Sequence, residues 1–169
     1  MLVEAMQALY DYSRQATERI LDTAERLTPE QWLAPQTAGR GSIRDTLVHL
    51  VSAQGSWLTT WGGPLPSGGA SRGPVVPADF PDVTAVRSLL KTVDGATQAF
   101  LTELTDEALA RVIVRQRAAG GEMRATLWQM MLHVANHGTQ HRSEVAAFLT
   151  AFNHSPGDID FLRFIPTPR

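Results

Sequence analysis

A hydrophobic rhythm of three and four residues, returning in four separate segments, constrains the fold of this chain more than any other feature. Residues 2 to 27 place Leu2, Met6, Leu9, Tyr10, Ser13, Ala16, Ile20, Ala24 and Leu27 on that period, which predicts a long amphipathic helix. Ser42 is a good N-cap for a second helix running through Trp61, and Asp82 for a third reaching about Leu104. A fourth is expected from about Thr126 to about Asn153. Between the second and third helices, residues 62–81 hold five glycines and five prolines, so a long loop without regular structure is expected there. Neither helical pair has a complete core alone, so that loop is read as a connection within one domain spanning 1–169.

Smaller signals fill in the connections. Thr28-Pro29-Glu30-Gln31 has the form of a capping box with proline in the first turn. Leu104-Thr105-Asp106-Glu107 echoes Leu27-Thr28-Pro29-Glu30, hinting at a weak internal duplication. Residues 111–115 alternate as a strand would and are followed by Gly120-Gly121, predicting a small hairpin. The expected fold class is all-α: an antiparallel four-helix bundle with a long Gly/Pro-rich loop between the second and third long helices and a small hairpin before the fourth.

Composition narrows the function classes. The formal net charge is −2, with no block of like charges, so nothing resembles the basic footprint that nucleic acid requires. The first residues lack a basic leader and a small-residue cleavage site, and no apolar stretch approaches a bilayer span. A soluble, cytoplasmic protein is expected. There is no cysteine, so any metal site must use nitrogen and oxygen.

Histidines supply the main functional clue. His133, His137 and His141 recur at four-residue steps, and such a step brings His137 and His141 onto neighbouring turns, where both can chelate one ion. With His137 at zero on a helical wheel, His133 falls near −40°, His141 near +40° and Glu144 about −20°. All four share the sector of Met130, Val134, Phe148 and Phe152. This places the histidines on the core stripe, where each imidazole needs partners for two nitrogens and a carboxylate needs a partner or a metal. Gln140, Asn136 and Arg142 flank the stripe.

His49 lies on the second helix among Ser42, Asp45, Thr46, Ser52, Ala53, Ser56 and Thr60. That small, polar face fits either a solvated surface or the wall of a polar cavity with room for an ion, water and substrate. A lone helical histidine is ordinarily a surface or hydrogen-bonded core residue. There is no HExxH, GxSxG or GxxxxGK[ST] motif, which removes most support for metalloprotease, α/β-hydrolase and P-loop chemistry. Trp32, Trp57, Trp61 and Trp128 are expected in the core. Arg111, Arg115, Arg117 and Arg124 are expected on a solvated strand face.

The segment Leu132-His-Val-Ala-Asn-His-Gly-Thr-Gln-His-Arg142 resembles the fourth-helix signature of the DinB-like, or YfiT-like, four-helix-bundle family. Thr46-Leu-Val-His49-Leu50 looks like that family's second-helix histidine segment, and residues 155–164 resemble its C-terminal tail. The resemblance covers essentially the whole chain. It implies that His49, His137 and His141 are metal ligands, with His133 a neighbour, and it implies a homodimer. Ser143 stands where the family commonly has glycine, off the histidine stripe, so ligation should be undisturbed.

Three neutral imidazoles leave a coordination position open, the arrangement of catalytic rather than structural sites. Zinc and nickel suit such ligands best, with iron and manganese also compatible. Glu144 and Asp45 are candidate bases or orienting groups. Relatives with known chemistry include transferases and isomerases that use bacterial low-molecular-weight thiols. The resemblance therefore points to a thiol-dependent S-transferase acting on a small molecule. A metal-dependent hydrolase and a non-catalytic binding protein are the alternatives.

Overall fold

The structure, a computed structural model, describes residues 2–37, 39–64, 66, 75–116 and 120–165. The first apolar rhythm forms α1 (Leu2–Ala24), which buries Met6, Tyr10, Ser13, Ala16, Ile20 and Ala24. Leu27, expected in its last turn, instead packs on the core from beyond the helix end. The Thr28 hydroxyl accepts from the Gln31 N–H, and the Gln31 side chain accepts from the Thr28 N–H. This box opens the single-turn α2 (Pro29–Leu33), which buries Trp32. Ser42 caps α3 (Ile43–Thr60), and Asp82 caps α4 (Val83–Thr102). Thr105 caps α5 (Asp106–Ala110), another single turn. The two Thr-led echoes thus build the same local object after α1 and after α4.

The hairpin pairs β1 (Val112–Gln116) antiparallel to β2 (Glu122–Thr126), with Val114 opposite Arg124. It leads into α6 (Leu127–Ala151). The long loop holds a short 3₁₀ turn, Pro77–Asp79; residues 65 and 67–74, where no regular element was expected, lie outside the described residues. Among the described residues, no helix is long and apolar enough to cross a membrane.

The four long helices pack in the ring α1–α4–α3–α6. Their mutual directions follow from side-chain pairs. Gln7 early in α1 reaches the Leu101 carbonyl late in α4, while Arg87 early in α4 pairs with Glu18, Asp22 and Glu25. These two helices are antiparallel, as are α3 and α6, where His49 meets His141 and Trp57 meets His133. Yet α1 runs parallel to α6, since Tyr10 bonds the Met131 carbonyl and Arg19 the Pro156 carbonyl. Likewise α3 runs parallel to α4, joining Gln54 to Thr97 and Trp61 to Phe100. The expected helical bundle is present, antiparallel in two of its four neighbouring pairs. The physical reason is connection length: the chain between Trp61 and Asp82 easily retraces the ~27 Å of an 18-residue helix.

Two buried clusters fill the bundle, one around Ile20, Leu47, Val86 and Val145, the other around Met6, Leu58, Leu101 and Met131. Along α6, His137 and His141 fall between Val134 of one cluster and Val145 of the other. Trp32 and Trp61 are buried as expected, whereas Trp57 and Trp128 are only half-buried. Arg115 stacks over the Trp57 ring at 4.2 Å, and Arg111 donates to the Trp61 carbonyl. These two arginines tie the hairpin to the bundle instead of forming a solvated face. Arg124 pairs with Glu122 at the surface, and Arg117 lies outside the described residues.

Candidate metal centre

Antiparallel packing of α3 against α6 turns His49 toward His137 and His141. The His49 Nε2 lies 3.2 Å from the His137 Nε2, and the His141 Nε2 also lies 3.2 Å from it. The three candidate ligand atoms are all within 4.8 Å of one another. Nitrogens bound at about 2.1 Å to a tetrahedral ion stand about 3.4 Å apart, so the constellation needs little adjustment to close on an ion. His133 is exposed, with its ring centroid 6.2 Å from that of His137 and 5.4 Å from Trp57. The core stripe expected for all three α6 histidines therefore narrows along the helix: His141 is buried, His137 half-buried and His133 outside.

The donor chemistry fits a cation. The His141 Nδ1 lies 2.6 Å from the Glu144 Oε2. A carboxylate there accepts the Nδ1 proton, which leaves the Nε2 lone pair facing the other two imidazoles. A proton on any one of the converging Nε2 atoms serves only one neighbour, whereas a cation accepts lone pairs from all three at once. Burial, the nearby Arg40 charge and the other two histidines lower the His49 pKa to about 4. Burial, His141 and His133 lower that of His137 too. Near neutral pH these imidazoles are uncharged, as metal ligation requires.

Glu144 is held from both sides: Oε2 meets His141, and Oε1 accepts from the Gln140 side chain at 3.2 Å. Burial opposes its ionisation, but the His141 and Gln140 hydrogen bonds prevail and its pKa is lowered. Asp45 sits one turn before His49, and its Oδ1 accepts from the Arg44 Nε at 2.9 Å. Together with His49 it lines a cavity of about 480 Å³, walled also by Arg40, Arg44, Val48, Ser52 and residues 75–78. The structure thus brings His49, His137, His141 and Glu144 into one cluster and puts Asp45 on the adjoining wall.

Three contributors escaped the sequence reading. Arg40 rides on a turn flanked by Gly39 (φ 75°) and Gly41 (φ 117°), with its N–H donating to the Thr46 hydroxyl at 3.1 Å. A Cβ at Gly39 would sit 2.9 Å from that hydroxyl and 3.3 Å from the Glu144 Oε2, so only glycine lets the turn dock there. The Gly-Arg-Gly-Ser string before the α3 cap was the available signal. Gln140 was placed only on the flank of the stripe, without its bond to Glu144. Arg142, placed on that flank too, is 2% exposed. Its guanidinium lies over the Tyr12 ring and donates to Thr139, while the C-terminal tail covers Tyr12 with Phe161 and Phe164.

The chain is similar to known proteins. Protein DinB of Bacillus subtilis (strain 168) is 22% identical over 155 residues, spanning 90% of this chain and 89% of that protein. The crystal structure of a DinB-like protein from Bacillus cereus ATCC 10987 superposes with a TM-score of 0.65 at 20% identity, covering 92% of this chain and 95% of that one. A conserved protein from Enterococcus faecalis follows with a TM-score of 0.50 at 15% identity, covering 85% and 94%. These two likenesses speak for the fold. The family profile described as the DinB family matches residues 1–168, and with that match the chain belongs to the DinB family.

Proposed function

We propose that this protein is a metal-dependent enzyme acting on a small molecule, and specifically an S-transferase that uses a low-molecular-weight thiol. The observation that carries this reading is the convergence of three imidazole Nε2 atoms beside an open cavity. His49, His137 and His141 would hold a divalent ion, zinc or nickel by ligand preference. When bound there, such an ion lowers the pKa of a thiol or water in its open position.

The chain's own residues do the remaining work. Glu144 keeps the proton of His141 on Nδ1 and so fixes the ring's direction. Asp45, on the cavity wall, is placed to take the proton of an incoming thiol. The sulfur then forms its bond to the substrate carbon, and the displaced group leaves with the electron pair of the broken bond. Val48 and residues 75–77 give the cavity an apolar side beside its charged groups.

Zinc- or nickel-loaded protein, given 2-mercaptoethanol and an alkyl halide, is expected to form thioether and release halide only when metal and thiol are both present. His137→Ala should abolish the reaction. Turnover of esters or amides without thiol would instead favour a hydrolase.

A further inference from the structure

The cavity beside His49 is not electrically neutral. Among the described residues, Asp45 is the one carboxylate on its wall, and its Oδ1 is engaged by Arg44. Arg40 is the second cation on that wall, and among the described residues no carboxylate forms an ion pair with it. Its position is built: two glycines in the left-handed region shape the turn, and Thr46 holds the Arg40 N–H. The close approach of Gly39 seats the turn against the same Glu144 that orients His141. Arg40 shares that wall with His49 of the triad. A guanidinium offers up to five N–H donors in a fork matched to planar or tetrahedral oxyanions.

We propose that the cavity beside His49 receives the anionic group of the substrate, with Arg40 as its principal contact, so that the enzyme acts on small organic carboxylates or sulfonates. This deepens the metal-dependent reading and rests on it for the reacting end of the substrate. The anionic end is held by Arg40 on the cavity wall while the reacting atom faces the three imidazoles. An ion there adds further positive charge, and the net field of the pocket draws anions in. Because Arg40 is exposed, salt screens the attraction.

The test compares two thiols with the same arm, 2-mercaptoethanol and 2-mercaptoethanesulfonate, whose sulfonate is a poor metal ligand. Each is titrated into cobalt-loaded protein, and the thiolate-to-cobalt charge-transfer band is followed. The sulfonate is expected to bind about tenfold tighter at low ionic strength, with the preference shrinking in high salt. Arg40→Gln should bring the two affinities together, while Arg26→Gln, just past the end of α1 and off the cavity wall, should keep them apart. Equal affinities in the wild type, or a preference that survives Arg40→Gln, would overturn the assignment. Absence of any cobalt spectrum would count against the metal centre alone. Calorimetric titration of the metal-free protein with 1,2-ethanedisulfonate then decides the cavity: binding that Arg40→Gln removes supports the proposal, and no binding refutes it.

Discussion

Glu144 has two oxygens and two partners, and its effect on the site runs through His141. Without a carboxylate on Nδ1, the His141 ring could carry its proton on either nitrogen, and its Nε2 lone pair would be present only part of the time. Glu144→Ala is therefore expected to weaken zinc affinity about 10- to 100-fold, measured by competition with a coloured chelator. Glu144→Gln keeps an acceptor but not the charge, so its loss should be smaller. Equal affinity in all three proteins would show that the carboxylate does not orient the ligand. Residue-level legibility was uneven for a physical reason. His137 and His141 lie on one helix, whose period alone puts them together. His49 lies on another helix, where periodicity showed only a small polar face, and the family resemblance was needed to pair it with α6. Arg142 was placed only on the flank of the stripe, because a helical period does not show the Tyr12 ring against which it is buried.

At the scale of elements, the turn before α3 does the most positioning for its size. It carries Arg40, presents Ser42 as the cap of the helix bearing His49, and rests on Glu144. Gly39→Ala must place a Cβ at positive φ and 2.9 Å from the Thr46 hydroxyl. The left-handed conformation alone costs about 1–2 kcal/mol, so urea denaturation should show a loss of at least that size. A variant as stable as the wild type would mean that the turn is free to move and does not fix Arg40. The helices themselves were legible because capping residues and apolar periods are local. The Thr28 and Thr105 caps, read as an echo, proved to open equivalent single-turn helices. The turn was not legible, since loops have no period and its contacts come from residues far along the chain.

For the whole molecule, the bundle matters because it brings α3 and α6 together in opposite directions. The sequence announced four helices and a long connection but not the parallel pairing of α3 with α4. A connection of that length is compatible with either direction, and only packing of the completed bundle chooses between them. The α3–α6 pairing sets the histidines of the two helices face to face, between two hydrophobic clusters that hold the helices in register. The proposed chemistry depends on that juxtaposition binding an ion. The most direct measurement is the metal content of protein purified without an affinity tag, beside a His137→Ala, His141→Ala double variant. About one transition metal per chain in the wild type, lost in a variant that remains folded, is the expected result. A wild type that stays empty after equilibration with zinc and nickel would contradict the account, and the histidines would then be a packing feature of the α3–α6 interface.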